Sequence, residues 1–173
     1  ASAKATGVSI ADLAKISAVV HPDSAKIVCQ PRSEKNEPKT PYDAKFSLPW
    51  SVAALLIDGA LVVDTFEPVS IKRPEVIALA SKFEFSEKSE VAAAAAAAGF
   101  VEITTSDGRT FSGKVASSAG GPNNRLTLAA LTEKFVLQCS NTQAAGAVAD
   151  EILHIESVAQ IATIAAKIAT LGK

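Results

Sequence analysis

A lysine, two serines and a tryptophan stand close together in Lys39-Thr40-Pro41-Tyr42-Asp43-Ala44-Lys45-Phe46-Ser47-Leu48-Pro49-Trp50-Ser51. Ser47 is a good N-cap, Pro49 suits a first helical turn, and Gly59 is a natural stop, so the spacing predicts a helix over residues 47–58. The first turn of such a helix presents backbone N–H groups without intrahelical partners. Pro49 removes one, while Leu48, Trp50 and Ser51 keep theirs. A helix start with a nearby ammonium (Lys45) and hydroxyls (Ser47, Ser51) is suited to a carboxylate. The plainer alternative is a capped helix beside a solvated lysine. Trp50 offers an indole N–H, which donates a hydrogen bond but cannot pass a proton as a base would. Its plainer alternative is a core aromatic.

Other chemistries find little support. His21 sits beside Pro22, and His154 lies between Leu153 and Ile155. Neither belongs to an HxxxH or HExxH pattern, so both read as structural and no metal site is expected. Gly120-Gly121-Pro122 lacks the GxxxxGK pattern and reads as a turn. Ser47, Ser51 and Ser112 have no GxSxG context. Cys29 and Cys139 form no CxxC pair. They read as buried small hydrophobes in a reduced, cytoplasmic protein. No cofactor is implied.

Composition narrows the partners. The 173 residues are 48% apolar, enough for a real core, and the formal net charge is −1. Nucleic-acid binding usually brings a basic surplus, which is absent. No apolar run approaches the ~20 residues of a membrane span, and Ala1–Gly7 has no signal-peptide core. Methionine is absent even at position 1, which leads us to expect a piece of something longer.

The elements that must hold these residues follow from periodicity. Ser9 with Asp12 resembles a capping box, and Ile10, Leu13 and Ile16 fall on one helical face, predicting a helix over 9–16. Residues 17–21 read as a strand stopped by Pro22-Asp23, and 26–29 as a second short strand. Pro31, Pro38 and Pro41 with the charges around them predict an extended, exposed loop over 30–44. In the helix over 47–58, Leu48, Val52, Leu55 and Leu56 form the expected buried stripe. A helix over 74–82 and a strand over 83–85 follow. Seven alanines, 92–98, fit either a short helix or a spacer. Asp107-Gly108 between β-rich runs predicts a hairpin with a type I′ turn. After a glycine-rich loop at 117–124, Thr127 caps a helix bearing Leu128, Leu131 and Phe135. Two alanine-rich helices, 142–156 and 157–171, complete the chain. The fold class is therefore α+β: a small two-layer unit over 8–125, then a helical segment over 126–173. Those last helices would bury poorly alone and fit better against helices from another segment or chain.

The 39–53 segment, followed by Leu56-Ile57-Asp58-Gly59 and Phe66, resembles the signature of the MmgE/PrpD family. Weaker matches follow in order: Pro74-Glu75-Val76 with Leu79, Asp107-Gly108-Arg109, Gly121-Pro122 with Leu126-Thr127, and Glu133-Lys134-Phe135. The resemblance covers residues 10 to 140. It implies a lid of α+β type beside a large all-helical domain, with the reaction site between them. It also implies a small di- or tricarboxylate substrate, since relatives dehydrate 2-methylcitrate, decarboxylate cis-aconitate or epimerise iminodisuccinate. Relatives are commonly dimers, so a homodimer is expected. Trp50 occupies the place of a family tyrosine that faces the active site, which puts an acid–base role there in doubt. Most catalytic groups of the family would precede Ala1. The fragment alone is then expected to be inactive and to need its missing helical domain. The alternative is a free-standing, non-enzymatic α+β module that binds an anion or a protein.

Overall fold

A computed structural model describes residues 8–89 and 99–172. The chain is α+β and divides between Asn124 and Arg125 into two compact units.

The first unit begins with a 3-10 turn, Ile10–Asp12, whose start is capped by Ser9. Strand β1 (Leu13–Val20) follows directly. The helix anticipated over 9–16 is thus confined to its first turn. The reason is a β-bulge between Leu13 and Lys15. The extra residue turns Leu13 onto the same side as Ile16, and this three-residue spacing imitates a helical face. The strand anticipated over 17–21 is the second half of β1.

His21 accepts a hydrogen bond from the Asp23 N–H and, with Pro22 in the first turn, starts helix α1 (Pro22–Val28). Residues 26–29, anticipated as a strand, are the end of this helix and its cap. The anticipated loop over 30–44 holds two further helices, α2 (Arg32–Asn36) and α3 (Pro41–Lys45). The prolines were misleading because Pro31 and Pro41 stand at helix starts, where a missing N–H costs little. Thr40 and Asp43 close α3 with a reciprocal capping box.

Helix α4 (Leu48–Asp58) has the anticipated cap at Ser47, proline in its first turn and left-handed Gly59 at its end. Its buried side differs from the anticipated stripe. Pro49, Trp50, Ala53, Ala54 and Leu56 are buried, whereas Leu55 is 41% exposed. Helix α5 (Pro74–Ala80) is joined to α4 by the two-pronged pair of Arg73 with Asp58, at 2.9 and 2.8 Å. The contact with Asp58 raises the Arg73 pKa further, so the guanidinium stays charged.

Strands β2 (Phe83–Glu87), β3 (Gly99–Thr105) and β4 (Thr110–Val115) complete a sheet of order β2-β1-β3-β4, with β1 and β2 parallel and the other pairs antiparallel. The register explains its two faces. Phe83, Ile16, Ile103 and Phe111 lie in one row across the sheet and join the core with α4 and α5. The next row, Glu84, Ser17, Glu102 and Ser112, is polar and points the other way. On that face Lys15 pairs with Glu84 at 2.7 Å and lowers the Glu84 pKa.

The anticipated hairpin forms, but its turn is not type I′. Positive φ occurs at Gly108 and at no non-glycine among the described residues, so Asp107 cannot supply the second left-handed position that type I′ requires. Instead the Gly108 N–H bonds to the Thr105 carbonyl, and the Thr105 N–H bonds to Arg109. The Asp107 carboxylate accepts from the Thr105 hydroxyl and from the Arg109 N–H and guanidinium.

The second unit holds α6 (Leu128–Leu137), α7 (Thr142–Leu153), a 3-10 turn (Ile155–Ser157) and α8 (Ile161–Thr170). Thr127 and Asn141 cap the first two, as their side chains accept from the N–H three residues on. Its core is small: Ala145, Val148, Ile164 and Leu171, with Phe135 and Val136 packed against them. Leu128, Leu131, Ile161 and Ile168 remain 44–68% exposed within this unit. Among the described residues no helix is long and apolar enough to cross a membrane. The alanine run, 92–98, lies outside the described residues.

The Asp107 contacts make a prediction. Hydrogen bonds from Thr105 and Arg109 hold its carboxyl below the usual carboxylate range. A depressed native pKa contributes stability above the unfolded value of about 3.9, and that stability is lost as pH falls through the native pKa. Thermal unfolding should therefore show wild type ahead of Asp107→Asn near neutrality. The gap should close in acid below about pH 4; a gap independent of pH would contradict this account.

Candidate functional site

The residues singled out by chemistry lie around the junction of α2, α3 and α4, but they do not face one cleft. Ser47 is 1% exposed. Its hydroxyl donates to the Lys35 carbonyl of α2 and accepts from the Trp50 N–H at 3.1 Å. The Ser51 hydroxyl donates to the Ala44 carbonyl of α3 at 3.3 Å, and its N–H bonds back to the Ser47 carbonyl. Lys35 closes the junction from the other side, its ammonium donating to the Phe46 carbonyl at 2.8 Å. The groups expected to grip a carboxylate at the tip of α4 are therefore largely engaged within the protein. Pro49 has no N–H, Trp50 and Ser51 have partners, and both hydroxyls are committed.

Trp50 has no exposed surface. Its ring packs against Phe66, with centroids 5.7 Å apart. The indole N–H is buried without a hydrogen-bond partner among the described residues. An unmet buried donor is costly, on the order of 1–3 kcal/mol. The large apolar body of the ring offsets this by filling the core. In this geometry Trp50 serves as a core aromatic and presents nothing to a solute.

Lys45 is the opposite case. It ends α3, is exposed, and makes no ion pair or hydrogen bond among the described residues. Three residues earlier on the same helical face stands Tyr42, 69% exposed. Sequence reasoning passed over Tyr42, because the expected extended loop gave it no fixed relation to Lys45.

Two cavities open on the first unit. One, of about 290 Å³, lies between α4 and the β3–β4 edge and is lined by Leu13, Val52, Leu56, Val101, Ile103 and Phe111 among others. Among the described residues no titratable side chain lines it, so these offer no counter-charge to a carboxylate. The other, of about 700 Å³, is lined by Ile71, Ile77, Glu34, Glu37, Lys39 and Lys72 among others. Its acidic and basic groups balance, which does not favour a di- or trianion. Neither cavity is lined by Lys45, Ser47, Trp50 or Ser51.

The remaining candidates have structural surroundings. His21 caps α1 through Nδ1. His154 ends α7, with Nδ1 2.9 Å from the Asp150 carbonyl. Cys29 is fully buried, and burial pushes its thiol up to about 11. Such a thiol is a poor nucleophile at neutral pH. Gly120 takes the left-handed conformation in a turn closed by Gly121 and Asn124. Among the described residues no group of three or more His, Cys, Asp or Glu is placed to hold a metal.

Residues 2–160 match the family model of the MmgE/PrpD C-terminal domain. No curated protein matches the chain.

The junction yields a direct prediction. Ser47→Ala removes an N-cap and leaves the Lys35 carbonyl without its donor, so it should cost about 2 kcal/mol in chemical denaturation. Lys45→Ala, at an exposed and unpaired position, should stay within about 0.5 kcal/mol of wild type. Equal effects would show that the junction does not carry this part of the fold.

Proposed function

We propose that this chain, which belongs to the MmgE/PrpD family, is the C-terminal portion of an enzyme acting on a small di- or tricarboxylate. The observation that carries the reading is the family match over residues 2–160. The reaction is a dehydration, decarboxylation or epimerisation at a carbon beside a carboxylate. Such steps need a positioned base and stabilisation of developing negative charge. In this reading the bond-breaking groups come from an all-helical domain outside these 173 residues.

In this reading residues 8–125 act as a lid and 126–173 return to the helical domain. The exposed Leu128, Leu131, Ile161 and Ile168 support the second assignment. Large apolar side chains left exposed on two helices suit a contact with another segment. Lys45 supplies the lid's positive charge to the substrate, and Ser47 and Ser51 act indirectly by fixing the α3–α4 turn that carries it. The same reading makes the protein cytoplasmic and a homodimer.

The chain alone should not turn over 2-methylcitrate or cis-aconitate. Joined to its helical domain, Lys45→Ala should raise KM about tenfold with a smaller change in kcat, the pattern of lost ground-state binding. Robust turnover by the 173-residue chain would overturn the division of labour, and an unchanged KM would remove Lys45 from the site.

A further inference from the structure

The segment from Lys39 to Ser51 contains few polar groups that remain available. Thr40 and Asp43 are spent on the capping box. Ser47 and Ser51 donate to backbone carbonyls. Trp50 is enclosed. Beyond Lys39, what remains is Lys45 and Tyr42, three residues apart on α3 and so neighbours on one face of the helix.

Tyr42 is the chain's sole tyrosine. It is 69% exposed, and its hydroxyl has no hydrogen-bond partner among the described residues. Its ring makes a tilted contact with Phe46, one turn along, with centroids 5.0 Å apart, and α3 itself is tied down by its capping box and by the Lys35 bond to the Phe46 carbonyl. That contact reduces the rotamer freedom the phenol has to lose when its hydroxyl binds.

We propose that Tyr42 is a substrate-binding residue: its hydroxyl donates a hydrogen bond to an oxygen of the same carboxylate that pairs with Lys45. This inference rests on the proposed reading and moves the lid's contact surface from the tip of α4 to the outer face of α3. An ammonium alone is a mobile point charge, while an ammonium with a neutral donor beside it orients the carboxylate plane. Tyr42 thereby sets how the substrate is presented.

Tyr42→Phe tests this, because it removes the hydroxyl and keeps the ring contact. In the enzyme joined to its helical domain it should raise KM for the carboxylate substrate about tenfold, the scale of one lost hydrogen bond to a charged group. Thermal stability should match wild type. Phe46→Leu, which removes the aromatic partner but not the hydroxyl, should give a smaller rise. An unchanged KM in Tyr42→Phe with a raised KM in Lys45→Ala would overturn the role of Tyr42 and leave the proposed function standing. Unchanged KM in both would remove the α3 face altogether. A fall in kcat at constant KM would also overturn a binding role.

Discussion

The Ser47 hydroxyl is the hinge on which the first unit is built. It donates to the end of α2 and accepts from the first turn of α4, at 1% exposure. One oxygen thus joins two helices and satisfies both a backbone carbonyl and an orphan N–H. Around it Lys35 ties α2 to the Phe46 carbonyl, and Ser51 ties α4 back to α3. Three short helices that could not persist in isolation become one rigid corner. Trp50 and Phe66 fill the space beneath it.

That corner decides which chemistry faces outward. A helix start offers unmatched N–H groups, and a carboxylate is a natural partner for them. Here the protein supplies the partners itself, and the polar groups of α4's first turn are used up in making the turn. The groups left over, Lys45 and Tyr42, belong to α3. The segment can therefore be specific in sequence for two reasons at once: its inner residues set the geometry, and its outer residues are the ones we propose to meet the solute. Ser47, Pro49, Trp50 and Ser51 belong to the first kind.

Much of this was legible in the sequence where a residue has one local use. Ser47, Pro49 and Gly59 mark the ends of α4, Pro74 the start of α5, and Asp107-Gly108 the hairpin, because capping and left-handed glycine are local rules. The misreadings came where tertiary structure reuses a local signal. The bulge at Leu13 gave a strand a helical spacing. Pro31 and Pro41 began helices instead of preventing them. In α4 the fully buried positions include Ala53 and Ala54, while Leu55 faces out; a stripe drawn through the largest side chains misses alanines that lie at close contacts. The site was less legible than the fold. Ser47, Ser51 and Trp50 were recognised as special, but residue types alone do not tell a hydroxyl that binds a solute from one that binds the chain. Tyr42 became visible once α3 was known to be a helix.

Trp50 is enclosed beneath the corner, and as the chain's single tryptophan it reports on that enclosure. Acrylamide quenching of its fluorescence is the most direct measurement. Emission at short wavelength, quenched far less than in the chemically unfolded chain, is the predicted result. Long-wavelength emission quenched as freely as in the unfolded chain would place the indole in water. The tip of α4, and not the face of α3, would then be the surface open to a substrate.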